Sequence, residues 1–151
     1  MLTFDNALTV GFSVNGSSTL QELSGGGGFP SVVTTPPTSI QLDQNSRVEF
    51  NWSQVGILST MLTGIWRCDV FLEQMGPGEG PAITGSTTAF VPVSGNNYTV
   101  FCNIPAGSVP IGLYRVTSRL MLLPNSSGGN PNALSPIAAF EDLGLVQYHN
   151  A

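Results

Sequence analysis

Ile65-Trp66-Arg67-Cys68-Asp69-Val70-Phe71-Leu72-Glu73-Gln74-Met75 is the stretch on which the fold turns. Trp66, Cys68, Val70 and Leu72 share one parity, and Arg67, Asp69 and Glu73 share the other. Successive side chains of an extended chain point to opposite faces, so this two-residue step marks a half-buried β-strand. The same step recurs on both sides. Downstream, Tyr98, Val100, Cys102 and Ile104 share one parity, with Thr99, Phe101 and Asn103 on the other. Tyr114, Val116, Ser118, Leu120 and Leu122 then alternate with Arg115, Thr117, Arg119 and Met121. Upstream, Val48, Phe50 and Trp52 share a face, as do Leu8, Val10, Phe12 and Val14. A weaker strand is expected from Thr87 to Val93, with Pro92 placing it at an edge. A last strand runs from Ile137 to His149, broken by a bulge near Glu141 to Gly144.

Breakers separate these strands. Gly25-Gly26-Gly27-Gly28 and Pro36-Pro37 make residues 15–46 an irregular connection, with at most one helical turn at Thr19 to Leu23. Val55 to Leu62 is apolar without a clear period and reads as a short helix or a crossover. Gly76-Pro77-Gly78-Glu79-Gly80-Pro81 and Gly95-Asn96-Asn97 are turn clusters. The expectation is one domain over residues 1–151. It is an all-β antiparallel sandwich of about seven strands with an extended N-terminal segment.

The composition excludes several functions. The 151 residues carry a net charge of −5, and only 9% are charged. The four basic residues are Arg47, Arg67, Arg115 and Arg119, and lysine is absent. Such a chain is a poor non-specific nucleic-acid binder, because that affinity comes from neutralising phosphates. With 41% hydrophobic residues it is not disordered throughout. No apolar run reaches the length of a membrane span. The start, Met1-Leu2-Thr3-Phe4-Asp5-Asn6-Ala7, has no basic region followed by an apolar run. A cytoplasmic protein or a component of an assembled particle is therefore expected over an exported one. Asn15, Asn51, Asn97 and Asn125 each begin an Asn-x-Ser/Thr triplet, read here as chance in a chain rich in these residues.

The run Tyr98-Thr99-Val100-Phe101-Cys102-Asn103-Ile104, then Pro105-Ala106-Gly107, then Gly112-Leu113-Tyr114-Arg115-Val116, resembles the E–F corner of immunoglobulin-like and fibronectin type III-like sandwiches. The resemblance covers residues 47–149 and concerns architecture only. It implies that Tyr114 defines the corner by hydrogen bonding back upstream, and that Trp66 is the core tryptophan. It also implies that the strand beginning at Ile65 neighbours the strand beginning at Tyr114. The chain departs from the immunoglobulin pattern in its cysteines. Val48, Phe50 and Trp52 occupy the B face, and Cys68 and Cys102 fall on the C and E strands.

Catalytic constellations are thin. Cys68 and Cys102 share inward parity and are expected as free buried thiols rather than a disulfide, given the compartment. His149 is the single histidine and sits at the chain end, which disfavours a Ser–His mechanism. Gly25 to Gly28 lacks the Lys-Ser/Thr of a phosphate loop and reads as a linker. Asp69, Glu73, Glu141 and Asp142 show no metal-ligand spacing. No catalytic residue, cofactor or metal is therefore expected.

Arg67, Arg115 and Arg119 form the most informative set. Their parity places them on the outer face of one sheet, with Phe71, Leu113, Met121 and Leu123. Arginine and large apolar side chains together suit a contact surface. The expected function is a non-enzymatic structural or interaction subunit, associating with itself or with a larger particle or filament. Exchange of residues 2–14 between copies is one route, since a small sandwich leaves unpaired edges. The alternative is a carbohydrate-binding module that uses an exposed aromatic, Tyr148, Phe29 or Phe101.

Overall fold

The computed structural model describes residues 1–6, 11–23, 39–75, 82–130 and 137–150. Leu8, Val10, the Gly25 to Gly28 run, Phe29 and the Gly76 to Pro81 cluster lie outside the described residues. The described chain forms β1 (Thr3–Asn6), β2 (Ser13–Glu22), β3 (Ser39–Gln41), β4 (Ser46–Val55), β5 (Ile65–Gln74), β6 (Ala82–Ala89), β7 (Asn97–Ile104), β8 (Gly112–Leu123) and β9 (Ile137–His149). A 3-10 turn at Ile57–Thr60 fills the apolar stretch between β4 and β5.

Two sheets pack face to face. The large sheet has the order β1-β9-β8-β5-β6, with β3 pairing parallel to β9. The small sheet has the order β2-β4-β7. The remaining ladders are antiparallel. The fold is thus the expected all-β antiparallel sandwich, and β5 lies beside β8. The inward residues of β5 and β8, Trp66, Val70, Val116 and Leu120 among them, meet Val48, Phe50 and Trp52 of β4 in one core. At one end Trp52 stacks on Tyr98 at 4.9 Å and meets Trp66 edge-on at 5.6 Å. Such offset and T-shaped pairs add to area burial because ring edges are positive and ring faces negative. Tyr98 then locks the β6–β7 connection: its hydroxyl donates to Gln54 Oε1 at 2.9 Å and accepts from the Val91 N–H. The fully buried Gln54 donates in turn to the carbonyls of Val91 and Val93.

The connection expected over residues 15–46 is partly strand, because β2 runs through Glu22 and β3 begins at Ser39. The helical turn at Thr19 to Leu23 is part of β2 instead. Two inward positions of β2 are Gly16 and Ser18, so the apolar alternation fades there. Gly16 lies opposite Trp52, and a Cβ on it would stand 2.6 Å from the Trp52 Cβ. Ser18 donates from both its N–H and its hydroxyl to Glu141 Oε2, at 2.8 and 2.6 Å. A short β1 and β3 raise the strand count to nine among the described residues.

The β9 bulge falls where expected. Val116 pairs with Gly144 and Thr117 with Asp142, so Leu143 is the extra residue. Gly144 has φ 89°, a left-handed conformation that glycine adopts without a Cβ clash. The edges are less open than a small sandwich suggests. On β2, the Gly16 carbonyl accepts from the Leu2 N–H, and the Ser18 N–H is taken by Glu141. On β7, the Phe101 carbonyl accepts from the Ser86 hydroxyl of β6.

Candidate functional site

The outer face of the large sheet carries the three arginines, but in two different states. Asp69 projects from β5 and its side chain is 0% exposed. Arg67 Nε donates to Asp69 Oδ1 at 2.9 Å, and Arg119 Nη2 to Asp69 Oδ2 at 2.8 Å. A buried carboxylate is held only when paired and hydrogen-bonded, and two guanidiniums do this here. The backbone helps: Gly85 lies opposite Asp69 on β6, and a Cβ there would stand 2.7 Å from both Arg67 Nη2 and Asp69 Oδ1. Arg67 also donates to the Gly129 carbonyl at 3.1 Å, so the chain after β8 turns back over this end of the face. Met121 and Leu123 project from the same face and are buried as well, outside the main core.

An open surface built on Arg67, Arg119 and Met121 is therefore not what the fold presents. Outward parity is right for all three, but cover from the returning chain and the demand of Asp69 remove most of their exposure. Only about a fifth of each of the Arg67 and Arg119 side chains is exposed. Arg119 also lies 4.9 Å from the Phe71 ring centre, a cation–π contact. Arg115 differs: it is half exposed, 3.5 Å from the equally exposed Asp142.

Two residues that parity alone does not reveal extend the open part of this face. Phe140 lies opposite Arg119, and Leu145 opposite Arg115. They are 50% and 47% exposed. The bulge at Leu143 inverts the parity of β9, so an even and an odd residue reach the same side. The Glu141-Asp142-Leu143-Gly144 signal for a bulge was in the sequence, and applying the inversion would have found both. With Leu113 and the half-buried Phe71, they set four apolar side chains among Arg115, Thr117, Glu73 and Asp142.

The outer face of the small sheet is chemically unlike it. Its rows across the strands read Asn15–Ser53–Asn97, Ser17–Asn51–Thr99, Thr19–Glu49–Phe101 and Gln21–Arg47–Asn103. A hydrogen-bond chain runs over it. Arg47 Nε donates to Gln21 Oε1 at 2.7 Å, and Gln21 Nε2 to Glu49 Oε2 at 2.8 Å. Asn51 Nδ2 donates to Glu49 Oε1, and Thr99 Oγ1 to Asn51 Oδ1 at 2.7 Å. Phe101 lies under Arg47, 4.1 Å from guanidinium carbon to ring centre. A cleft of about 270 Å³ opens at one end, lined by Asn15, Asn51, Ser53, Asn97 and Thr99, with Trp52 and Tyr98.

Cys68 and Cys102 are free thiols buried between the sheets, with Cys102 Sγ 3.5 Å from the Cys68 carbonyl. Burial raises both thiols, Cys102 to about 11 and Cys68 further. Neither is a nucleophile at neutral pH, since the thiolate is the reactive form. The Tyr114 hydroxyl donates to the Pro110 carbonyl at 2.9 Å, a bond back across the corner. Tyr148, named above as an exposed aromatic, is buried: its ring meets Tyr114 edge-on and its hydroxyl lies 3.3 Å from Ser46 Oγ. The inversion at the bulge turns it inward, leaving Phe101 as the exposed aromatic of the three within the described residues. His149 ends β9, its Nδ1 2.6 Å from the Asn150 carbonyl. Among the described residues no group of three His, Cys, Asp or Glu is placed to hold a metal. No described helix is long and apolar enough to cross a membrane.

A scan against protein families finds no match, and neither does a search of curated proteins. Among solved structures, the chain is similar to part of a β-glucosidase from Listeria innocua in complex with glucose, at 13% identity and a TM-score of 0.49. That match covers 89% of this chain and 16% of the other. The same enzyme in complex with gluconolactone gives 13% identity, a TM-score of 0.48, and coverage of 92% and 16%. The chain thus spans about a sixth of the length of the structures it matches.

Proposed function

We propose that this chain is a non-catalytic structural subunit that associates with a second copy of itself through the outer face of the large sheet. One observation carries the reading: Phe71, Leu113, Phe140 and Leu145 share that face with a half-exposed Arg115. Exposed large apolar side chains interleaved with arginine suit a contact surface better than a solvent face. The charges suit self-pairing. Arg115 is flanked by Glu73 opposite it on β5 and by Asp142 across β9. A two-fold axis through this patch would bring Arg115 of each copy to the acidic side of the other. The chemistry elsewhere fits a passive role, with Asp69 engaged by two arginines, Glu141 by Ser18, and both thiols held protonated.

Light scattering across a wide concentration range tests this. The expected result is a concentration-dependent dimer or larger species that Leu145→Glu and Arg115→Glu both weaken. A monomer at every concentration would sink the reading, as would a dimer indifferent to both variants. Two backbone groups on the free edge of β2 are already engaged, which lowers the weight of strand exchange as the route. Association face to face, through Leu113, Phe140 and Leu145 beside Arg115, is the preferred route.

A further inference from the structure

We propose that the outer face of the small sheet binds a neutral oligosaccharide, seated across β2, β4 and β7 in the cleft between Asn15 and Asn97. This site is separate from the association face and does not depend on it. The first argument is what the face lacks. A protein partner calls for apolar and aromatic area at the centre of its footprint. The outward positions here are mostly amides and hydroxyls, with Arg47 and Glu49 at one end and a single exposed aliphatic, Val55, at the other, and the one exposed aromatic, Phe101, already has Arg47 on its ring. An anionic partner calls for unpaired cations, yet Arg47 is the face's one basic residue and is tied through Gln21 to Glu49. The face is polar, electrically balanced and uncharged at its cleft.

The second argument is pre-organisation. Asn51 is fixed from both edges, by Glu49 on its nitrogen and Thr99 on its oxygen. A primary amide has two donors and two acceptor sites, so one of each remains for a ligand. Holding such a side chain before binding removes the ordering entropy that otherwise opposes weak polar recognition. Beside this fixed group lies a free row. Among the described residues the side chains of Asn15, Ser53 and Asn97 make no hydrogen bond to protein. Strands lie about 4.8 Å apart, so the two outer amides stand about 10 Å apart with a hydroxyl between them. That span is comparable to a disaccharide. Adjacent ring hydroxyls, each donor and acceptor at once, match the paired edges of planar amides.

The third argument is the cleft's construction. Its lining includes Trp52 and Tyr98, whose rings stack at 4.9 Å, and the Tyr98 hydroxyl donates to Gln54, so packing and a buried hydrogen bond hold the strands beneath the amide row. Gly16 lets β2 approach β4 there, as a Cβ would come within 2.7 Å of the Asn51 carbonyl.

The test is amide chemical-shift mapping on the isotopically labelled full chain. Cellohexaose, maltohexaose and mannohexaose are the neutral probes, and a heparin hexasaccharide is the anionic one. At least one neutral probe should shift amides of β2, β4 and β7 around Asn15, Asn51 and Asn97, with millimolar affinity or better. Asn97→Ala, an exposed substitution that leaves the core intact, should weaken binding about tenfold. Arg115→Glu should leave it unchanged, which separates this site from the association face. Silence of every neutral probe at about 10 mM would overturn the proposal. So would shifts confined to β5, β8 and β9, or a preference for the heparin fragment.

Discussion

The two outer faces are written with the same two-residue step and differ in how they hold their charges. At one end of the large sheet a charged cluster is drawn inward: Asp69 is buried, Arg67 and Arg119 close over it, and apolar Phe140 and Leu145 remain outside with the half-exposed Arg115 and Asp142. On the small sheet the charged pair, Arg47 and Glu49, is half-buried within a chain of amides, and neither is fully buried as Asp69 is. The difference lies in what covers each face. The chain after β8 returns over the large sheet and reaches Arg67 through the Gly129 carbonyl. Outward parity assigns a side, and cover decides whether that side meets water.

The sharpest way to break the contrast is to remove the charge that organises the large face. Asp69→Ala leaves two guanidiniums without their carboxylate under partial cover. It should lower stability by about 3 kcal/mol, as loss of one partner of a buried pair does. Urea denaturation measures this, and chemical shifts of the small-sheet face should hardly move. A drop below about 1 kcal/mol would mean that the pairs behave as surface salt bridges.

Two glycines compare the sheets directly. Gly16→Ala sets a Cβ against the Trp52 Cβ and the Asn51 carbonyl, neither of which can swing away. Gly85→Ala meets the end of Arg67, which can move, and Asp69, which is pinned. Overpacking costs about 1–3 kcal/mol, so Gly16→Ala should fall near about 2 and Gly85→Ala near about 1 kcal/mol. Gly85→Ala should also be non-additive with Asp69→Ala, because they disturb one cluster. Equal losses at the two glycines, or simple additivity, would undo the assignment.

The thiols offer a third comparison, one from each sheet. Their pKa values are raised by burial, so the folded state holds protons that the unfolded chain releases above about 9. Their stabilisation is complete below that pH and is lost as pH rises toward about 11, where Cys102 ionises in the folded state. In that window each thiol steepens the loss by about 1.4 kcal/mol per pH unit. Thermal melts from pH 8 to pH 11 (about three units of alkaline titration) should show the decline, and Cys102→Ala should flatten it. An unchanged slope would show that the thiol is not desolvated. The smallest effect on stability is expected from Arg115→Glu. Its partner Asp142 is equally exposed, so the melt should shift by less than about 0.5 kcal/mol while association weakens.

The strands were legible wherever inward positions carry large apolar side chains. Trp66, Cys68, Val70 and Leu72 announce β5, and Tyr114 through Leu122 announce β8. The alternation of β2 is lost beyond Val14, because the space beside Trp52 requires Gly16, and Glu141 recruits Ser18. Neither demand is visible in local periodicity, since both come from residues distant in the chain. The candidate face was half legible for a similar reason. The parity of Arg67, Arg115 and Arg119 was in the sequence, but the return of the Gly129 segment was not. The amide face was present as alternating polar residues in three separate strands. Only the register Asn15–Ser53–Asn97 brings them side by side.

That register has a practical consequence for making this protein. Three of the four Asn-x-Ser/Thr triplets begin at Asn15, Asn51 and Asn97, all around one cleft. The triplet has the same two-residue step as a strand, so a sheet face built of amides and hydroxyls spells it out as a by-product of geometry. Expression through a eukaryotic secretory pathway would offer these asparagines to the glycosylation machinery. A glycan attached at Asn15 or Asn97 would occupy the cleft itself, and ligand assays on such material would report on its own attached sugar. Production in a host without that machinery leaves the face bare.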